Sequence, residues 1–257
     1  MINAIGKVEF TDACKNKIEA ARDAYDELND DQQEMISAEQ YKVLTDAENA
    51  YSEFKKKDEK KAATLALDKK LKVTTGKSIK VEWGKVPGAA GYDIYMAYCG
   101  KSSLKVVKTI KSSKVTSATV NKLNKKAIDQ AKHIKCKVVA YKVENGKKVA
   151  ICESIVAHAV GKLNKSVTDA KSIKLSKSSY KLKVGGSATI KATTVKKNKK
   201  LPILPKSHAP EFRYASADDS IVTVSKTGKI TARGKGSCYV YVYAVNGCCK
   251  QVKVTVK

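Results

Sequence analysis

Histidine, tryptophan and proline are scarce in this 257-residue chain, which has 3, 1 and 4 of them. Among its 51 basic residues only Arg22, Arg213 and Arg233 are arginines. Each shortage excludes something. Arginine makes the bidentate contacts that read phosphates and base edges, so a sequence-specific nucleic-acid reader is not expected. His133, His158 and His208 are the sole imidazole bases, and no G-x-S-x-G elbow accompanies them, so catalysis is not expected either. Gly76-Lys77-Ser78 and Gly100-Lys101-Ser102 lack the leading glycine of a phosphate-binding loop, with Leu71 and Tyr95 in its place. No C-x-x-C pair occurs among the seven cysteines, and an odd number leaves at least one without an intrachain partner. No structural disulfide, metal or cofactor is therefore expected, and Asp30-Asp31 and Asp218-Asp219 lack the alternating oxygens of a calcium loop. No apolar run reaches about 18 residues, so membrane insertion is not expected. Met1 to Gly6 has neither the basic start nor the apolar core of a secretory signal. The chain reads as a fragment whose leader and anchor lie elsewhere; a complete cytosolic protein is the alternative.

Charge and apolar residues are abundant. A hydrophobic content of 42% can fill real cores. The net charge of +26 is unevenly spread. Residues 1–58 carry 8 bases and 14 acids, whereas residues 59–257 carry 43 bases and 11 acids. The sign change marks a domain boundary. Lysines at alternate strand positions keep sheet edges from pairing with other chains, and the same faces could hold an anionic polymer.

Residues 1–58 predict helices. Ile18, Ala21, Tyr25 and Leu28 form one apolar stripe, and Tyr41, Leu44, Ala47, Tyr51 and Phe54 form another. Asn29 with Gln32, and Ser37 with Gln40, are successive capping boxes that each start a helix. The expected result is an antiparallel helical hairpin, truncated at its start, with residues 59–70 as a charged connector able to extend the last helix. The pattern Ala4-Ile5-Gly6-Lys7-Val8, Ile18-Glu19-Ala20-Ala21-Arg22-Asp23-Ala24-Tyr25, Leu28 and Gln32 resembles small helical modules repeated in Gram-positive surface proteins. That resemblance implies a spacer, or a bundle that binds immunoglobulin or albumin.

The next 90 residues predict short strands. Ile79, Val81 and Trp83 alternate with Lys80 and Glu82, Val86-Pro87-Gly88 breaks the strand, and Tyr92, Ile94 and Met96 begin another. Trp83 is the largest apolar side chain, and neighbouring strands should pack around it. Glu144-Asn145-Gly146-Lys147 is a strong hairpin signal between Ile134–Val143 and Val149–Val156. Together with Gly91-Tyr92-Asp93-Ile94-Tyr95 and Val138-Val139-Ala140-Tyr141, these motifs make residues 71–160 resemble a bacterial fibronectin type III domain. Ile134 stands where that family's corner tyrosine is expected.

Residues 161–169 are polar and expected as a linker. In residues 170–257, Ser220-Ile221-Val222-Thr223-Val224, Thr227-Gly228-Lys229-Ile230-Thr231-Ala232 and Gly234-Lys235-Gly236 resemble the bacterial Ig-like domain, group 2. Lys196–Pro210 is longer than that family's usual loop, and a surface loop of polyproline character is expected there. The fold class is thus mixed and multi-domain, an α-helical hairpin followed by two all-β Ig-like sandwiches.

Cys238-Tyr239-Val240-Tyr241-Val242-Tyr243-Ala244 puts two apolar sets on opposite faces. A three-residue loop at Val245-Asn246-Gly247 with Gly247 left-handed pairs Val242 with Lys250 and Val240 with Val252, placing the small set inside. A two-residue loop shifts that pairing by one; the Ig-like family buries the small set, which favours the first. Tyr239, Tyr241 and Tyr243 would then line an outer face, with Lys253 opposite Tyr239. That ladder is the first candidate binding surface, since tyrosine is common at interfaces. The polar run Asp30, Asp31, Gln32, Gln33 and Glu34 is the second. The resemblances imply an extracellular, non-enzymatic, adhesin-like fragment of a bacterial surface or secreted protein. Its expected partner is a host protein such as immunoglobulin or another glycoprotein, or an anionic cell-wall or mucin polymer. Spacer domains of a larger secreted enzyme, and a basic module for wall polymer or glycan, are the alternatives.

Overall fold

The computed structural model describes residues 1–100 and 103–257. Lys101 and Ser102, in the second of the two phosphate-loop-like fragments, lie outside the described residues. The protein is mostly β-sandwich with a few helices, and it divides into two compact units, residues 1–61 and 62–257. Among the described residues no helix is long and apolar enough to cross a membrane.

In the first unit, helix α1 is Asp12–Asp26, the short α2 is Asp30–Glu34, and α3 starts at Ala38. Both capping boxes form: Asn29 and Gln32 exchange bonds of 3.1 and 2.9 Å, and Ser37 and Gln40 exchange bonds of 3.1 and 3.2 Å. These satisfy N–H groups that a helix start leaves without partners. Ile18, Ala21, Leu44 and Ala47 from the two predicted stripes are buried with Ile5 and Cys14. Contacts run antiparallel, with Phe10 on Tyr51 at 5.3 Å between ring centroids and Tyr25 on Tyr41 at 4.9 Å. Arg22 spans the pair, donating through Nε and Nη2 to both carboxylate oxygens of Glu48 at 2.6 and 2.7 Å.

Helix α3 continues through the charged stretch to Asp68. In the second unit its last turns bury Ala63, Leu65 and Leu67, the residues a solvated connector would have left in water. The first sandwich then opens with β1 (Lys72–Thr74), β2 (Ile79–Glu82), β3 (Gly91–Tyr98), β4 (Lys105–Ile110) and β5 (Ser117–Val120). It continues with the small hairpin β6 (Lys122–Leu123) and β7 (Lys126–Ala127), then β8 (Ile134–Glu144), β9 (Lys147–Glu153) and β10 (Ala157–Ala159). One sheet has the order β1-β2-β5 and the other β10-β8-β3-β4, with β9 also on β8. The predicted hairpin turn has Asn145 and Gly146 at φ 50° and 73°, the left-handed pair that joins two twisted strands tightly. Between the sheets lie Trp83, Tyr92, Ile94, Met96, Val138 and Cys136. Trp83 is 2% exposed, its ring 5.2 Å from that of Tyr92.

The second sandwich comprises β11 (Ala170–Leu175), β12 (Ser179–Leu182), β13 (Ser187–Thr189), β14 (Ala192–Lys196) and β15 (Phe212–Ser216). It is completed by β16 (Val222–Val224), β17 (Lys229–Ala232), β18 (Gly236–Ala244) and β19 (Cys249–Val256). Its sheets have the orders β12-β19-β18-β15 and β13-β17-β16, with β11 paired to β14. The register of β18 on β19 is the one the three-residue loop demands: Val242 opposite Lys250, Val240 opposite Val252, Cys238 opposite Val254. Gly247 has φ +91°. The small set Cys238, Val240, Val242 and Ala244 is buried with Val222, Ile230 and Val254, as alternation requires.

Two stretches expected as loose are held. In the 161–169 segment Thr168 and Asp169 are buried, Asp169 accepting from the Val160 N–H at 2.9 Å and from Lys197 Nζ at 3.0 Å. The proline-bearing 196–210 segment is no free surface loop. Its Leu204 and Ala209 are buried with Val160 and Val245, and Thr168 N–H donates to the Pro202 carbonyl at 2.8 Å. Apolar residues inside that insertion outweigh the polyproline preference of its prolines, and the segment docks.

Candidate functional site

Tyr239 stands opposite Lys253, Tyr241 opposite Gln251 and Tyr243 opposite Cys249. The three do not form an exposed ladder. Tyr239 is 39% exposed and Lys253 lies in solvent, but Tyr241 and Tyr243 are 4% and 1% exposed. The reason is Leu65 of α3, which packs on both rings together with Ile155. Lys69 Nζ sits 4.8 Å from the Tyr241 centroid, a cation–π contact that closes the face further. An apolar sheet face was covered from within the chain, and the binding surface expected there shrinks to Tyr239 and Lys253.

On α2, Asp30, Asp31, Gln32 and Glu34 are exposed and Gln33 is half-buried. Two of these five side chains serve the fold. Gln32 completes the capping box, and the Gln33 amide donates to the Tyr25 and Leu28 carbonyls, both at 3.2 Å. Asp30, Asp31 and Glu34 are what α2 presents to solvent.

Beneath the tyrosines lies a buried polar group that sequence reasoning missed. Asp68, at the end of α3, is 2% exposed and accepts from the Ile155 N–H at 2.9 Å. Burial pushes its carboxyl up to about 7, against the pull of that hydrogen bond and of Arg213. Arg213 is itself pushed down by burial, with Asp68 opposing. Burial likewise raises the Tyr243 phenol and carries the Cys249 thiol up to about 12. Neither Arg213 Nη1 nor Tyr243 Oη finds a hydrogen-bond partner among the described residues.

A second gathering lies where the two sandwiches meet, and it draws in every histidine of the chain. Cys99 follows the last residue of β3, and its N–H donates to the His133 carbonyl at 2.9 Å. His158, the middle residue of β10, donates its N–H to the Val245 carbonyl at 2.8 Å, tying the first sandwich to the β18–β19 turn. His208 comes from the docked 196–210 segment. Cys99 Sγ is 3.5 Å from His158 Nδ1, and that nitrogen is 3.1 Å from His208 Nε2. The His158 and His208 rings meet edge to face at 5.0 Å, and His133 stands 6.1 Å from His208 in the same manner. Cys99, His133 and His208 line a cavity of about 400 Å³ with Gly100, Ala131 and Lys132. Burial, then His208, Arg213 and Lys135, bring His158 down to about 4, so its imidazole is neutral near pH 7. Burial lifts the Cys99 thiol to about 11, Lys135 opposing. His133 is lowered by burial and by His208, with Asp169 opposing, and its buried Nδ1 has no hydrogen-bond partner among the described residues. The sequence signal was the A-H-A alternation at 157–159, which turns His158 away from its buried alanine neighbours. Nothing local marks Cys99 or His208.

The sequence matches no known family model and no curated protein. Among solved structures, domains 1–6 of the surface layer protein SbsC align with 96% of this chain at 16% identity and a TM-score of 0.27. The chain spans 46% of that structure, less than half its length. The FN1–FN3 domains of chicken CNTN1 align with 72% of this chain and 64% of theirs, at 11% identity and a TM-score of 0.27. The C-terminal 282-residue fragment of intimin, solved with the intimin-binding domain of its translocated receptor, aligns at 13% identity. That match covers 70% of this chain and 57% of the fragment, with a TM-score of 0.23.

Proposed function

We propose that this chain is a non-enzymatic binding segment of a bacterial surface or secreted protein. In this reading a helical hairpin module precedes a fibronectin type III-like and a group 2 Ig-like sandwich, and the outer faces meet a protein partner outside the cell. One observation carries it. Each sandwich closes on its own apolar interior, Trp83, Tyr92 and Ile94 in one and Val240, Val242 and Val254 in the other. Rigid double sheets of this kind leave their outward strand positions to recognition and spacing. The immunoglobulin or glycoprotein partner rests on the helical module's sequence pattern, and Asp30, Asp31 and Glu34 are the side chains it would meet first. Capture of one serum or mucus protein by the immobilised chain, weakened by the Asp30→Ala/Asp31→Ala/Glu34→Ala variant, is the expected result. Retention of nothing above a bare-matrix control overturns it.

A second reading follows from the net charge of +26. The lysine faces of residues 62–257 would hold an anionic wall polymer or mucin glycan. Such binding falls steeply between about 50 and 200 mM salt, because its free energy comes from counterion release. Protein capture that persists at the higher salt separates the first reading from this one.

A further inference from the structure

We propose that Cys99, His158 and His208 form a binding site for a borderline-soft divalent metal ion of the Zn²⁺ class, ligated by one thiolate and two imidazole nitrogens. The three ligand atoms lie within 4.8 Å of one another. Zinc bonds of about 2.3 Å to sulfur and about 2.05 Å to nitrogen, opened at a tetrahedral angle, require S···N near 3.5 Å and N···N near 3.3 Å. The separations are 3.5 Å for Cys99 Sγ to His158 Nδ1 and 3.1 Å for His158 Nδ1 to His208 Nε2. His158 Nδ1 therefore already sits at coordination spacing from both partners, and Cys99 Sγ and His208 Nε2 lie no more than 4.8 Å apart.

Hydrogen bonding alone serves this arrangement poorly. His158 Nδ1 faces both a thiol and an imidazole nitrogen, yet it has one lone pair or one proton to offer. One of the two contacts is left unsatisfied in a half-buried place, which costs free energy. A cation accepts all three lone pairs at once. A neutral His158 is ligand-competent without losing a proton, whereas Cys99 gives its proton to solvent as the metal–sulfur bond forms. A soft thiolate with two imidazoles selects Zn²⁺ or its neighbours over Mg²⁺ or Ca²⁺. Cys99 and His208 also line the cavity, so a water from it can take the fourth position. Lys135 and Arg213 lie close enough to act on His158 and oppose a cation, and the thiolate charge offsets them in part. Because the ligands come from the end of β3, from β10 and from the 196–210 segment, the ion would fasten the second sandwich's insertion to the first sandwich.

The test uses the full chain, stripped with chelator and reduced, titrated with Co²⁺ and then displaced by Zn²⁺. One equivalent of Co²⁺ with tetrahedral visible bands and a thiolate charge-transfer band is expected. Cys99→Ser should remove the charge-transfer band, and His208→Ala, a loop substitution, should weaken Zn²⁺ by at least about tenfold. Trp83 fluorescence reports whether each variant remains folded. The vicinal Cys248-Cys249 pair is the rival thiol source, so a Cys248→Ser/Cys249→Ser chain should keep the band. Absence of stoichiometric binding overturns the site, as does a band that survives Cys99→Ser or wild-type affinity in folded His208→Ala.

Discussion

Replacing Asp68 by asparagine should stabilise the protein at alkaline pH and leave it unchanged in acid. The buried carboxyl has a native pKa of about 7, whereas an unfolded aspartate titrates near 3.9. A group whose native pKa lies above its unfolded value holds its proton more tightly when folded. Between about pH 4 and 7 the unfolded chain therefore binds fewer protons, and stability falls as pH rises through that window. Three pKa units at about 1.4 kcal/mol each set a ceiling of about 4 kcal/mol for the cost of ionising Asp68 in place. Asparagine is isosteric, carries no charge at any pH, and its carbonyl oxygen can still accept from the Ile155 N–H. The charged and titratable groups facing this carboxyl are Arg213 on β15, Tyr243 on β18 and Cys249 on β19, with Lys69 beside it. Arg213 would lose its counter-charge in the variant, which reduces the gain below the ceiling. Urea unfolding followed by Trp83 fluorescence reads the sandwich to which Ile155 belongs. His133 and His158 have lowered pKa values and so oppose Asp68, their stabilisation being lost as pH falls below about 6.5. They are common to both chains and cancel in the difference. Asp68→Asn should be more stable than the parent at pH 8, with the difference shrinking to near zero by pH 4. A difference that does not vary with pH, or a variant weaker than the parent at pH 8, would refute the reasoning. The second outcome would mean that an ionised Asp68 and Arg213 are a net stabilising pair.

Two further substitutions test the packing around the same helix end. Tyr243→Phe removes a hydroxyl that has no partner among the described residues, and should be neutral or stabilising by about 1 kcal/mol. A loss of that size in the same urea assay would show the hydroxyl to be bonded. Gly84→Ala should destabilise by about 2 kcal/mol or more, since its Cβ would overlap the Ala66 carbonyl oxygen. That oxygen belongs to backbone held by the Gly84 N–H bond to Leu67, so it cannot move aside cheaply, and an unchanged urea midpoint would show that the helix end yields.

Local patterns proved legible wherever one periodicity acted alone. The capping boxes at Asn29 and Ser37, the Asn145-Gly146 turn and the strand alternation that turns Trp83 inward each depend on neighbours within a few residues. The β18–β19 register was readable for the same reason, because a loop of fixed length and a small-residue face agree. The exposure of its outer face was not. Alternation says which residues share a face, but not what a segment some 170 residues away lays over it. Leu65 and Lys69 sit in a stretch whose composition is that of a charged connector; Ala63 and Leu67, four apart, share one helix face, and Leu65 lies on another, over the tyrosines.

The cysteine–histidine gathering shows the same limit in a sharper form. Its members stand at positions 99, 158 and 208, at a strand end, mid-strand and in an insertion, and each alone reads as an ordinary polar residue. Metal-ligand spacing in sequence is informative only when one turn or hairpin supplies several ligands. Here three separate segments supply one each, so the spacing is set by how the sandwiches abut. That abutment depends on Leu204, Ala209, Val160 and Val245 closing a small apolar cluster under the insertion. Apolar burial thus holds His208 against His158 before any ligand arrives, and a metal would add specificity to a junction already made.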